Sequence, residues 1–260
     1  MDAKAARRAD VRLYIAAGLA AGDALRLDER QSHYLLRVMR LSPGDTIGLF
    51  NGRDGEWLAR IEDKTRAGCA VAPIERIAEQ TPDSGPWLAF APLKKDALDV
   101  LIEKATELGV GRLMPVLTQR TQGGRVNIGR LAAQAIEAAE QCGRLTVPAV
   151  DAPLALSRLG DNWPAGRALL VLDETGGGRP LADVLGDWPA DGGSVGFVCG
   201  PEGGFAPGEL DGLHKLPFAV PVGLGPRILR AETAALSALA CWQAWRGDWR
   251  HEPAARSGRR

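Results

Sequence analysis

Short apolar–polar alternation dominates the chain up to about residue 77, and longer apolar runs separated by amphipathic stretches dominate it afterwards. Thr46-Ile-Gly-Leu-Phe50 and Glu56-Trp-Leu-Ala-Arg-Ile61 flank Asn51-Gly-Arg-Asp-Gly55, a loop with two turn dipeptides, and so predict a β-hairpin. Pro43-Gly44-Asp45 marks the turn before it, and a third strand is expected over Cys69–Ile77. One helix, Gln31 to Met39, interrupts the strands, with Tyr34, Leu35 and Val38 at helical spacing. This texture predicts a small barrel-like β domain. Gln80-Thr-Pro-Asp-Ser-Gly-Pro86 concentrates breakers without any period and reads as a linker.

Beyond it, strand and helix alternate. Strands are expected at Trp87–Ala91, Arg112–Leu117, Ala168–Leu172, Ser194–Cys199 and Phe218–Val222. The clearest helix is Lys95–Leu108, where Leu98, Leu101, Ile102, Ala105 and Leu108 share a face and Gly109 supplies the stop. A second covers about Gly129–Gln141, and a long one follows Arg230. Such alternation predicts an α/β domain with a largely parallel sheet. The expected division is a β domain over 1–79, a linker at 80–86, an α/β domain over 87–250 and a flexible basic tail at 251–260.

Composition narrows the choice of class. The chain has 260 residues, of which 45% are apolar and 25% charged, so it is a globular protein rather than a disordered or disulfide-scaffold chain. Its 32 basic residues balance 32 acidic ones, which argues against a non-specific coat for naked nucleic acid but allows a local basic face. Cys69, Cys142, Cys199 and Cys241 lie far apart, as do His33, His214 and His251, so no metal site is expected and the thiols suit a reducing compartment. The charged Met1–Asp10 lacks a signal-peptide core, and Leu13–Ala21 is too short to span a membrane. A cytoplasmic protein is the expectation.

Candidate chemistry lies in three glycine-bearing segments at the carboxyl ends of expected strands, where α/β proteins bind ligands. After Leu172 comes Asp-Glu-Thr-Gly-Gly-Gly178, which lacks the Lys-Ser/Thr of a P-loop. Gly200-Pro-Glu-Gly-Gly204 follows an apolar strand; its glycines permit close approach to backbone, and Pro201 stiffens the turn. Gly223-Leu-Gly-Pro-Arg-Ile-Leu-Arg230 leads into a helix whose first turn carries Glu232. Arginines beside a helix N-terminus make an anion site, although Arg227 or Arg230 could instead neutralise Glu202 or Glu232 in a structural ion pair. Neither a dinucleotide-binding glycine motif nor a hydrolase nucleophile elbow is present.

Four of these runs carry a specific resemblance. Ile102-Glu-Lys-Ala-Thr-Glu-Leu-Gly-Val110, Glu140-Gln-Cys-Gly-Arg144, Gly200-Pro-Glu-Gly-Gly204 and Leu224-Gly-Pro-Arg-Ile-Leu-Arg-Ala-Glu-Thr-Ala234 stand in the order seen in the RsmE family, with Tyr34-Leu-Leu-Arg-Val-Met-Arg40 upstream. The chain thus resembles, from about residue 11 to 247, the small-subunit ribosomal RNA uridine-N3 methyltransferases of the SPOUT class. That resemblance implies a PUA-like RNA-binding barrel, an α/β domain with a trefoil knot, S-adenosylmethionine as methyl donor, 16S ribosomal RNA as substrate and a homodimer. Ala206 departs from the capping Ser or Thr expected before Pro207, and Gly223 and Gly176–Gly178 look looser than a ligand loop needs.

Mapped onto this sequence, the resemblance implies cofactor contacts at Leu172, Gly200, Pro201, Gly203, Gly204, Leu224, Gly225, Ile228, Leu229 and Ala234. Arg230 and Arg227 are candidates for holding RNA phosphate or the developing uridine anion, and Glu202 or Glu232 for accepting the N3 proton. Arg12, Arg37 and Arg40 are candidate RNA-backbone contacts. A ribose 2′-O-methyltransferase and a non-catalytic RNA-binding assembly factor are the competing readings. The helix after Glu232 is expected to run to about Trp249, with Leu239, Trp242, Trp245 and Trp249 along one stripe, part of which would pair two copies together with the Leu224–Arg230 loop.

Overall fold

Two sets of strands form, because the two halves carry different hydrophobic periods. The computed structural model describes residues 9–65, 68–82, 85–122, 126–189 and 193–251. The Met1–Arg8 end, Asp83 and Ser84 of the expected linker, and all but His251 of the expected 251–260 tail lie outside the described residues. The described chain divides into two compact units, one built on the residues up to Pro82 together with Ala139–Val147, and another built on the remainder.

In the first unit the strands are β1 (Arg12–Tyr14), β2 (Leu25–Arg26), β3 (Thr46–Phe50), β4 (Glu56–Thr65) and β5 (Gly68–Ala78), in the sheet order β1-β3-β4-β5-β2. The hairpin forms as expected, with Thr46 opposite Arg60 and Phe50 opposite Glu56. Three register shifts between β4 and β5 add local twist and curl the sheet around Leu13, Ile47, Leu49, Ile61 and Val71. Gly55 takes a left-handed conformation (φ 81°) in which a Cβ would collide with Ala78 O.

The expected helix over Gln31–Met39 is displaced and split. An α-helical turn, α1 (Glu29–His33), begins at Asp28, whose Oδ1 accepts the Gln31 N–H at 2.7 Å, and a π-helical turn follows at Tyr34–Val38. Leu35 is fully buried, but the wider turn rotates Val38 out to 58% exposure, so the three residues do not share the expected apolar face.

Arg12 organises one side of this unit. Its Nε donates to Glu56 Oε1 at 2.6 Å, Nη1 to the carbonyls of Ala139 (2.9 Å) and Glu140 (3.1 Å), and Nη2 to Arg144 O at 2.8 Å. Ala139 and Glu140 lie in the last turn of α3 (Ile128–Cys142), where carbonyls point off the helix end; Ala139 O also accepts the Gly143 N–H at 3.2 Å. Gly48 makes the room: a Cβ there would sit 2.8 Å from Glu56 Oε1.

In the second unit β6 (Trp87–Phe90), β7 (Arg112–Leu117), β8 (Ala149–Val150), β9 (Leu154–Ala155), β10 (Ala168–Leu172), β11 (Arg179–Pro180), β12 (Val195–Cys199) and β13 (Ala219–Gly223) form an eight-stranded sheet in the order β11-β13-β10-β12-β6-β7-β8, with β9 beside β7. Every pairing in it is parallel. Val195–Cys199 is buried along its whole length, as both-faces-covered parallel strands are. The helices are α2 (Lys95–Glu107), α4 (Leu181–Gly186), α5 (Pro207–His214) and α6 (Ala231–Trp245), besides α3. Since β10 lies between β12 and β13, the loops leaving these three strands emerge together at one carboxyl edge.

The last helix is shorter than expected. It stops at Trp245, and Trp249 belongs to a separate 3-10 turn at Asp248–Arg250. Gln243 causes the stop: its Nε2 donates to Leu108 O at 2.6 Å and its Oε1 accepts the Asp248 N–H at 3.0 Å, over a Gly247 whose Cβ would strike that Oε1. Leu239 and Trp242 are buried, with Trp242 edge-on to Trp188 at 5.6 Å, so these two belong to the unit's own core rather than to an exposed stripe. Trp245 (46%) and Trp249 (56%) remain exposed. No helix among the described residues is long and apolar enough to cross a membrane.

Candidate functional site

Where the loops after β10, β12 and β13 converge they enclose a cavity of about 750 Å³, within the range for nucleotide-sized ligands. The start of α2 (Lys94, Lys95, Asp96, Ala97) and the first turn of α6 close its remaining sides. Parallel strands supply bare carboxyl ends and the following helices supply their N-termini, so the edge concentrates unpaired backbone groups by construction.

Each loop is shaped by a different device. After β10, buried Asp173 accepts the Thr175 N–H (2.8 Å) and hydroxyl (2.6 Å) on Oδ1, a local turn that fixes the chain toward Gly176. Among the described residues its Oδ2 has no hydrogen-bond partner, and it lies 3.5 Å from His214 Nε2. Gly178 is less loose than expected, because a Cβ would fall 2.6 Å from Val222 N. After β12, Gly204 is left-handed (φ 68°), donates its N–H to Pro201 O at 2.9 Å, and leaves no room for a Cβ beside Glu174 Oε1. Ala206 starts α5 without a side-chain cap, and Glu209 compensates by accepting the Ala206 N–H at 2.9 Å.

The loop after β13 is the open one, with Ile228 91% exposed. Arg230 occupies the N-cap position of α6, and Glu232 lies in the first turn. The alternative of a structural ion pair does not form: among the described residues neither Arg227 nor Arg230 is paired with Glu202 or Glu232. Glu202 instead accepts the Lys94 N–H at 3.1 Å, at the start of α2.

Of the positions singled out in the sequence, Leu172, Gly200, Pro201, Gly204, Leu224, Gly225, Ile228, Leu229 and Ala234 line the cavity, as do Glu202, Arg227, Arg230 and Glu232. Gly203 does not. Its carbonyl accepts from Arg120 Nη1 at 2.9 Å and its Cβ position faces Arg120, away from the cavity lining. Arg12 is also corrected: at 7% exposure, with its guanidinium held by a carboxylate and three carbonyls, it is a fastener of the first unit and has no surface to offer RNA. Arg37 and Arg40 are exposed. Sequence reasoning missed Lys94, Lys95, Asp96, Glu174 and Cys199 as lining residues. Lys94 follows β6 at its carboxyl end, a position the strand rule would have flagged.

Electrostatically the cavity is mixed, with Asp96, Asp173, Glu174, Glu202 and Glu232 set against Lys94, Lys95, Arg227 and Arg230. Burial, reinforced by the charges of Glu174 and Glu232, pushes the Cys199 thiol up to about 12, and its Sγ points at Ala231 O at 3.3 Å. It is a neutral wall, not a nucleophile. Among the described residues, no group of three His, Cys, Asp or Glu side chains is arranged to hold a metal ion.

Residues 83–243 match the RNA methyltransferase domain family and residues 27–71 the RNA methyltransferase PUA domain family. Ribosomal RNA small subunit methyltransferase E of Rickettsia conorii is 34% identical to this chain over 88% of its length and 93% of the relative's. The chain belongs to this methyltransferase E family. The Bacillus subtilis member is 31% identical, covering 80% of this chain and 85% of that one. Among solved structures, the Neisseria gonorrhoeae member of the family, bound to S-adenosyl methionine, superposes with a TM-score of 0.79 at 28% identity, covering 90% of this chain and 97% of that one. A Legionella pneumophila protein in complex with the same cofactor gives 0.80 at 28% identity, covering 92% of this chain and 98% of that one. The curled first unit is therefore PUA-like and the parallel second unit SPOUT-like, as the sequence led one to expect.

Proposed function

We infer that this protein methylates N3 of a uridine in 16S ribosomal RNA of the small subunit, using S-adenosylmethionine. The observation that carries the reading is the cavity at the three strand ends, in a chain of this family. Its lining fits the cofactor's chemistry. Exposed backbone at Gly176 and Gly225 offers donors and acceptors to a purine edge, Leu172, Leu224 and Leu229 offer apolar walls, and charged groups of both signs suit an amino acid end. When bound, the cofactor supplies an electrophilic methyl group.

The chain's own residues supply position and a proton acceptor. Arg230 and Arg227 hold phosphate or the uridine anion, because a guanidinium is always charged and presents a fork of donors. Glu232 accepts the N3 proton; Glu202, the alternative, is already occupied by the Lys94 N–H. Alignment of the two reactants contributes most, on the order of 7–11 kcal/mol for well-oriented pairs.

The RNA-binding domain of this reading, residues 1–79, grips structured RNA through a face that includes Arg37 and Arg40 while the target base is turned out of its stack. In the same reading residues 80–86 are a linker, 87–250 a catalytic domain for which the family resemblance implies a trefoil knot, and 251–260 a tail. Two copies pair through the second unit, where Val100, Ile228 and Trp245 leave apolar surface in water. The protein works in the cytoplasm, where its substrate is.

Incubating the purified protein and S-adenosylmethionine with small subunits that lack the modification, then digesting the RNA to nucleosides for mass spectrometry, tests the reading. 3-Methyluridine is expected. A 2′-O-methylated product, or no product despite cofactor binding, would replace it with one of the competing readings.

A further inference from the structure

One wall of the cavity is held from outside. The loop from Gly200 to Ala206 joins β12 to α5, and Phe205 anchors it inward among Ala89, Met114, Val116 and Leu213. Its outward side carries the carbonyls of Gly203 and Phe205. Both accept from a single atom, Arg120 Nη1, at 2.9 and 3.3 Å. Arg120 does not line the cavity.

It sits on the loop that leaves β7, two strands away from β12 in the sheet. That loop is itself braced. Thr121 Oγ1 donates to or accepts from Thr118 Oγ1 at 2.9 Å and accepts the Thr118 N–H at 3.0 Å, while the Thr121 N–H returns to Thr118 O at 3.2 Å. A second strut runs in parallel with the first: Glu209 accepts the Gln119 N–H on Oε1 at 2.8 Å and the Ala206 N–H on Oε2 at 2.9 Å. Two consecutive residues, Gln119 and Arg120, thus fasten both ends of one turn, the Gly203–Phe205 backbone and the start of α5.

We propose that Arg120 is a positioning residue for the methyl-donor site, fixing the Gly200–Ala206 loop in its binding conformation, with Glu209 as the second strut. This rests on the functional reading given above. The reasoning is geometric. Gly204 lines the cavity in a left-handed conformation, between two residues whose carbonyls Arg120 holds. Glycine there gives the loop its shape and gives it freedom to lose that shape, so the binding form has to be held by something else. A charged donor shared by both flanking carbonyls holds it without entering the pocket. The result is less ordering to be done when the ligand arrives, which appears as affinity.

The test uses the full-length protein, with Arg120→Ala, Arg120→Lys and Glu209→Gln. Three quantities are measured: S-adenosylmethionine affinity by calorimetry, hydrogen exchange at the Gly204 amide without cofactor, and the thermal midpoint. Arg120→Ala is expected to weaken cofactor binding about tenfold, the scale of one charge-assisted hydrogen bond, and to speed Gly204 exchange by a similar factor. Its thermal midpoint should stay within about 2 °C, since the side chain is exposed. KM for the cofactor should rise while kcat at saturation stays within about twofold, because the loop is positioned once the site is filled. Arg120→Lys, which keeps one charged donor, should recover part of the affinity, and Glu209→Gln should show a weaker form of the same loss. Wild-type affinity and wild-type Gly204 exchange in Arg120→Ala would overturn the proposal. So would a fall in affinity that simply tracks a lowered thermal midpoint and that Lys does not restore. A wild-type protein that binds no S-adenosylmethionine would instead remove the functional reading, and Gly204 exchange would then decide the clamp alone.

Discussion

Arg12 in the small sheet keeps its guanidinium inside the protein, whereas Arg227 and Arg230 on the rim of the cavity are tied to no carboxylate among the described residues. In the first region a carboxylate and three main-chain carbonyls use the side chain's donors, and the cation contributes to folding. In the second the same chemistry is left unneutralised at a helix start, where it is available to an anionic ligand. What separates them is the number of acceptors that the surrounding backbone presents. A helix C-terminus pointing at Arg12 supplies several, while the N-terminus of α6 beside Arg230 supplies donors instead.

Breaking the buried arrangement should have the largest effect. Arg12→Ala leaves the Glu56 carboxylate buried without the guanidinium that pairs with it and takes a charged donor away from three carbonyls, so a loss of about 3–5 kcal/mol is expected in denaturant unfolding. A loss under about 1 kcal/mol would mean that Arg12 is not the fastener its contacts describe.

The rim arginines should show the opposite profile. Arg230→Ala is expected to lower kcat about a hundredfold, as removal of one charge-stabilising donor does, with stability changed by no more than about 0.5 kcal/mol. Single-turnover methylation beside thermal unfolding measures both. Equal losses in the two assays would erase the contrast with Arg12.

Two adjacent glycines sharpen the same contrast on a smaller scale. Gly204→Ala must adopt φ near 68° and crowd Glu174, so cofactor affinity should fall about tenfold at a cost of roughly 1–3 kcal/mol. Gly203→Ala, whose Cβ would meet Arg120 at an ordinary 3.7 Å, should bind within about twofold of wild type.

The smallest effect concerns alkaline pH. Burial raises the folded Cys199 thiol from its ordinary value of 9.0 to about 12, so its contribution to stability is complete below pH 9 and is lost as pH rises toward 12. Cys199→Ala should therefore flatten the decline of the thermal midpoint over that window, relative to wild type. Parallel declines in the two proteins would show that the thiol is not the group responsible.

Hydrophobic patterning along the chain was enough to specify the order and type of the main elements. Period-two alternation around Asn51–Gly55 specified the hairpin, and continuous apolar runs such as Val195–Cys199 specified buried parallel strands, because each pattern can be covered in only one way. The sequence also marked most of the cavity lining, since glycine-bearing loops at strand ends already say where backbone is bare. Tertiary structure alone decided which way individual side chains face. Nothing local distinguishes Gly203 from Gly204, yet one turns to Arg120 and the other to the cavity. The end of α6 at Trp245 depended on Gln243 reaching Leu108, a partner 135 residues away in sequence. Arg12 was legible as a cation but not as a buried one, because the carbonyls that claim it lie 127 to 132 residues further along the chain. Periodicity records how much of an element is covered; which donor meets which acceptor is settled only when distant segments are brought into contact.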